Sequence, residues 1–253
     1  MSRLHGSKDF WLGALRADGP AFRAAVAEAP LDAPVPSCPD WTVVDLVHHL
    51  GIVYMWVRET VSRGVADPRE ERPPVAAKPD GAEAVGWWQQ EFDSLVTLLD
   101  GLDPEMPAWN WAPQTKKVGF WVRRMAHETA VHRWDAQTAI AGVEPVEAKL
   151  AADGISEVLD SWLPAGRRRR RQPAYGVAHL VATDAEQEWY VRLRGEGMAL
   201  LDTDTILDSD DHHTRTLATG TASDLLLGLW GRVQFDVLDV SGDAALLDAL
   251  RVG

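Results

Sequence analysis

Between residues 118 and 139, in VGFWVRRMAHETAVHRWDAQTA, a helical stripe carries ionisable groups where a core face needs apolar ones. Taking every third or fourth residue gives Trp121, Met125, Glu128, His132, Asp135 and Ala139, which share one side of a helix of about 3.6 residues per turn. The stripe begins as a core face. It then places a carboxylate, an imidazole and a second carboxylate where Leu or Ile belongs, and burying such groups unpaired is strongly unfavourable. The fold must therefore bring partners to them. Glu128 and His132 stand four apart, with roughly 5–6 Å between Cβ atoms, and can point at one shared object. A metal ion is the simplest such object.

Composition narrows the function classes. A chain of 253 residues with 46% hydrophobic residues and 12 Trp is globular and fits two modest domains or one large one. Its net charge of −13 argues against nucleic acid and anionic membranes as partners, because a polyanion would be repelled by most of the surface. The single cysteine, Cys38, permits no intrachain disulfide and suits a reducing compartment. No apolar signal region follows MSRLHGSKDF and nowhere do about 18 apolar residues run together, so a cytoplasmic protein is expected.

From the N-terminus, Ser7 is placed to cap a helix running to Ala29, with Gly19-Pro20 expected to kink or restart it. A proline-rich connection over residues 30–39 leads to Thr42, which with Asp45 forms a capping-box-like start. Val43, Leu46, Leu50, Val53 and Val57 then form an apolar face. Steps of about 100° put His49 beside that face and His48 on the far side, toward water. After a polar loop, residues 82–99 read as a third helix with Val85, Trp88, Phe92, Leu95 and Leu99 inward, stopped at Gly101. Trp109 and Trp111, in the link before residue 118, either lid a cleft or plug the end of the bundle, and plugging is favoured.

A further amphipathic helix over residues 146–163 completes the helical set. The arginine run from Arg167 to Arg171 reads as a solvated interdomain linker, with phosphate binding as the lesser alternative. Beyond it the period changes to alternation. Residues 176–183 and 188–194 read as strands joined by the turn DAEQ, with Trp189, Val191 and Leu193 on one face; residues 198–207 are candidates for further extended segments and residues 233–240 read as extended. Thr221 to Asp224 caps an apolar helix, and Ser241 or Asp243 starts a last short one. The expected domains are residues 1–165 and 174–253.

A bare Glu-x-x-x-His pair is common on exposed helices, but a buried stripe raises its meaning. Adding His49 gives two imidazoles and one carboxylate from facing helices, a set that leaves a coordination position open, as catalytic zinc sites require. The same set suits non-haem iron. The bland alternative is a hydrogen-bonded Glu-His cluster with no ion. Asp135 either orients an imidazole or pairs with an arginine such as Arg133. His127 points away. Cys38 reads as a small buried filler with no base beside it. His212 and His213 read as part of a solvated acidic turn, and Arg232 as an anion receptor or an ordinary helix-end arginine.

CPDWTVVDLVHHLG, WNWAP, FWVRRMAHETAVHRWDA, TASDLLLGLWGR and VSGDAALLDAL together resemble the actinobacterial mycothiol-dependent maleylpyruvate isomerase family over nearly the whole chain. The resemblance implies a multidomain mix of α and α/β architecture: an N-terminal DinB-like antiparallel four-helix bundle and a small C-terminal α+β domain similar to sterol carrier proteins. It also implies a divalent, zinc-type ion held by His49, Glu128 and His132, mycothiol as thiol cosubstrate, and a role in activity for Arg232. The expected chemistry is a thiol activated on the ion, then isomerisation of, or S-transfer to, a small electrophile held by Arg232. Two alternatives stand beside it. One is a zinc hydrolase working through metal-bound hydroxide, with Asp135 as base; the other is a non-catalytic small-ligand-binding protein.

Overall fold

A computed structural model describes residues 6–68, 78–140, 142–167, 169, 173–195, 197–201 and 214–252. Arg168, Arg170, Arg171, His212, His213 and most of the polar loop before the third helix lie outside the described residues. The chain divides into two compact units, residues 1–144 and 145–253.

The described residues of the first unit form four helices: α1 (Lys8–Glu28), α2 (Val43–Ser62), α3 (Gly81–Gly101) and α4 (Val118–Thr138). Ser7 caps α1, its Oγ accepting from the Phe10 amide at 3.2 Å. The helix does not restart at Gly19-Pro20, which lie within its continuous span. Gly19 has a packing role instead: a Cβ there would sit 2.1 Å from the Phe92 ring, so the glycine admits α3. At α2, Asp45 Oδ2 accepts from the Thr42 amide at 2.9 Å and from its hydroxyl at 2.6 Å, which holds the Asp45 carboxyl below its usual range. Val43, Leu46, Leu50, Val57, Trp88, Phe92, Leu95, Leu99, Trp121 and Met125 share one buried core.

The second unit starts earlier than the sequence suggested. Helix α5 (Ala148–Glu157), continued by a π-helical stretch over Val158–Trp162, belongs to this unit and packs against α6 (Ala222–Leu229). The Val146 amide donates to Ser223 Oγ at 3.0 Å, and Trp189 Nε1 donates to Ser156 Oγ at 2.9 Å. These polar ties and its apolar face commit α5 to this unit, which amphipathic periodicity alone does not reveal. The arginine run also falls here: Arg167 lies over the Trp162 ring at 5.4 Å, and the Arg169 amide donates to the Arg251 carbonyl at 2.9 Å.

The sheet has the order β3-β2-β1-β4-β5, from β1 (Ala174–Ala182), β2 (Gln187–Gly195), β3 (Gly197–Leu201), β4 (Arg215–Gly220) and β5 (Asp239–Gly242). Only β1 and β4 pair in parallel among these neighbours. Ala178, Leu180, Val191, Leu193 and Ala218 are buried on the face that receives α6 and α7 (Ala245–Asp248). The opposite face carries His179, Glu188 and Tyr190. Strand β4 has no counterpart in the sequence reading, because its six residues RTLATG alternate too weakly to announce themselves. Residues 235–237 form a 3-10 turn rather than extended chain.

Candidate metal centre

The centre is assembled in the first unit by α2, α4 and the proline-rich loop between α1 and α2. That loop is closed by a bridge between Pro34 and Thr42 and by the Val35 amide donating to the Trp41 carbonyl at 2.9 Å. Within it, Cys38 to Trp41 form a turn of type II character. Pro39 presets its first central position, Asp40 takes the left-handed conformation at φ 69°, and the Trp41 amide returns to the Cys38 carbonyl at 3.0 Å. The turn delivers Trp41 to the mouth of the centre and Ser37 and Cys38 to its flank.

On α4 the ionisable stripe is inward, and much of the rest of the helix is buried too. His49, Glu128 and His132 meet: each offers one ligand atom, and the three atoms lie within 4.8 Å of one another. His49 Nε2 is 2.9 Å from Glu128 Oε1, and His132 Nε2 is 3.5 Å from the same oxygen. The two imidazole rings meet edge to face at 4.7 Å between centroids. Trp41 walls the pair, 5.0 Å from His49 and stacked 6.2 Å from His132. Exposure falls from 33% at His49 through 14% at Glu128 to 8% at His132, so the centre opens on the His49 side.

Asp135 orients the inner imidazole. His132 Nδ1 donates to Asp135 Oδ2 at 2.8 Å, while Ser37 Oγ donates to Oδ1 at 2.7 Å. With Nδ1 committed to Asp135, Nε2 is the nitrogen turned toward Glu128 and His49. Arg133 is engaged elsewhere, with Asp18 at 3.0 Å and Gln137 at 2.8 Å. Arg124, one turn before Glu128, donates from Nη2 to Glu128 Oε2 at 2.8 Å. Burial alone would raise the Glu128 carboxyl, but the Arg124 guanidinium and the donors on His132 and His49 outweigh it and hold it well below the usual carboxylate range. Burial likewise opposes charge on His132, yet the Asp135 and Glu128 carboxylates prevail and push the imidazole above its ordinary value.

Several sequence expectations are revised by this geometry. His48 is buried rather than solvent-facing: its Nε2 lies 2.8 Å from the Pro79 carbonyl and its ring 6.3 Å from Trp87, because the entry to α3 covers that side of α2. Cys38 does have polar neighbours, since its sulfur lies within 4.8 Å of ligand atoms on His132 and Asp135. Trp109 and Trp111, in contrast, follow the favoured plugging expectation and pack on the helical core, with Trp56 6.3 Å from Trp109 and Phe120 5.6 Å from Trp111. Arg232 belongs to the second unit. It follows Gly231, whose φ of 68° ends α6, and its Nη1 donates to the Trp230 carbonyl at 3.1 Å, a helix-end contact. The sequence reading missed Arg124, Ser37 and Trp41. Arg124 was legible, because Arg-x-x-x-Glu-x-x-x-His places all three on one helical row.

Residues 12–137 match the family described as the mycothiol maleylpyruvate isomerase N-terminal domain, and residues 149–249 match its C-terminal domain. The chain belongs to the mycothiol maleylpyruvate isomerase family of enzymes. A crystal structure of the mycothiol-dependent maleylpyruvate isomerase shares the fold, with a TM-score of 0.66 at 10% identity over 93% of each chain. A histidine-to-alanine mutant of that isomerase gives 0.62 at the same identity and coverage. None of the curated proteins matches the sequence. The two family domains flank the division between the compact units at residues 144 and 145, so this isomerase family places α5 and the arginine run with the C-terminal domain. No described helix is long and apolar enough to cross a membrane.

Proposed function

We propose that the chain is a metal-dependent enzyme that activates a low-molecular-weight thiol, mycothiol in this family, for isomerisation of a small electrophile or S-transfer to it. The observation that carries this reading is the convergence of His49, Glu128 and His132, a donor set of two imidazoles and one carboxylate with an open side. The donor chemistry fits a zinc-type ion, and the three residues would hold it. Such an ion supplies electrostatic stabilisation of a thiolate at neutral pH.

The remaining roles follow from the side chains. Asp135 fixes the His132 tautomer, and Ser37 fixes Asp135. Trp41 excludes water from one side of the two imidazoles. Arg232, in the second unit, would serve turnover as an anion receptor, a guanidinium being suited to a two-pronged contact with a carboxylate. A hydrolase built on the same centre would need Asp135 as general base, and that buried carboxylate is already committed to His132 and Ser37, which counts against it.

The test is calorimetric titration of the zinc-loaded protein with mycothiol, alongside the metal-stripped protein. Metal-dependent binding supports the reading. Absence of zinc uptake, or mycothiol binding that ignores the metal, overturns it. Arg232→Ala is expected to keep its metal and lose turnover, and unchanged kinetics would reduce Arg232 to a helix end.

A further inference from the structure

The Glu128 carboxylate is divided between two kinds of neighbour. Oε2 accepts from Arg124 Nη2 at 2.8 Å, whereas Oε1 faces His49 Nε2 and His132 Nε2. Arg124 is itself only 3% exposed, so its charge acts where water screens poorly. Nothing in the thiol chemistry described above uses this arginine. A guanidinium does not lose its proton in a protein, so the charge is permanent.

The arrangement has a geometric and an electrostatic effect. With Oε2 held by Arg124, Glu128 offers a cation one oxygen and not two, which limits the protein to three donors and keeps a position open. With a cation held by His49 and His132, both imidazoles would be neutral ligands, and the charges beside them would be Glu128 and Asp135, negative, and Arg124, positive. A divalent ion brings the sum to one positive charge; without Arg124 the sum is zero.

We propose that Arg124 is a positioning residue that keeps the centre selective for a small anion at its open side. This rests on the reading of His49, Glu128 and His132 as metal ligands, and it specifies the thiol as an anionic partner. The same field favours anions in general over neutral ligands of equal size.

The experiment uses the full chain loaded with Co²⁺, whose visible absorption reports on its coordination, titrated with azide at fixed pH and ionic strength. Arg124→Gln is expected to bind azide about ten- to a hundredfold more weakly than wild type. Arg124→Lys, which keeps the charge without the fork, is expected to stay closer to wild type than to the glutamine variant. Asp135→Asn removes a negative charge and is expected to tighten azide, which reads the sign even if Arg124→Gln does not fold. An unchanged azide affinity in Arg124→Gln overturns the proposal. So does a lysine variant as weak as glutamine, or an asparagine variant weaker than wild type. Wild-type protein that takes up no Co²⁺ removes the metal-centre reading and this inference with it. Wild-type protein that binds Co²⁺ and azide, with indifferent variants, removes this inference alone.

Discussion

Among the described residues stand two His-Glu constellations, and setting them side by side shows what turns a common pair into a site. In the second unit His179 Nε2 lies 2.8 Å from Glu188 Oε2, with the imidazole stacked on Tyr190 at 3.9 Å. In the first, His49 Nε2 lies 2.9 Å from Glu128 Oε1. The distances are nearly equal, but the surroundings are not. The sheet pair stands on an open face at 25% and 45% exposure, where water competes for both partners. The bundle pair has a second imidazole, a buried guanidinium behind the carboxylate and an aspartate behind that imidazole. Depth and the number of converging partners make the difference, since a buried group must be satisfied and can then be held in one geometry.

The largest effect should come from the carboxylate that joins the bundle cluster. Glu128→Ala is expected to abolish metal uptake and to cost about 3–5 kcal/mol of stability, because the buried Arg124 loses the Glu128 carboxylate. His49→Ala and His132→Ala should also lose the ion while the bundle survives. Elemental analysis and thermal unfolding of the purified variants read both quantities. One retained ion per chain in any of them would remove that residue from the ligand set and bring the bundle cluster closer in kind to the sheet pair.

Asp135→Asn sharpens the comparison at the next level, since the sheet pair has no equivalent backing residue in its described hydrogen bonds. The asparagine can present its amide to His132 and lose the acceptor that fixes the Nδ1 proton. Metal affinity is expected to fall about 10–100-fold, measured by competition with a chelator. An unchanged affinity would make Asp135 a packing residue.

How far these features were legible depends on whether they are local. The helix starts at Ser7 and Thr42 follow from capping chemistry a few residues long, and the Glu128–His132 row follows from helical period. The convergence of His49 on that row was inferable because a buried carboxylate and imidazole on α4 require partners. His48 escaped the same logic: periodicity describes one face of α2 but not the chain that later covers the other. Arg124 stands at the right spacing, but an arginine on a helix is usually solvated, so spacing alone does not mark it as the buried partner of Glu128. The assignment of α5 could not be read from its own residues, which are amphipathic in either unit; its partners are Ser223 and the α6 leucines, far along the chain.

Protonation offers a third way to separate the constellations. The folded value of His132 is raised, so the metal-free protein draws stability from its protonation below the ordinary imidazole value and loses it as pH rises through the raised one. A cation held by His132 Nε2 would take the place of its proton. The metal-induced rise in melting temperature should therefore be larger at about pH 8 than at about pH 6. A rise that is equal at both, or larger on the acid side, would mean that His132 does not surrender a proton to the ion.

The smallest effect is expected at the sheet pair, and it is the control on which the comparison turns. His179→Ala removes an imidazole that touches Glu188 and Tyr190 on an exposed face. An exposed ion pair contributes about 0.2–1 kcal/mol, because solvent screens the charges and ordering two side chains costs entropy. Stacking adds a comparable increment. The variant should thus unfold within about 1–2 kcal/mol of wild type and keep its full metal content. If His179→Ala instead lowers metal content or mycothiol binding while the protein stays folded, the open sheet face takes part in the chemistry. The contrast between a buried, fully partnered cluster and a solvated pair would then not be what decides function in this chain.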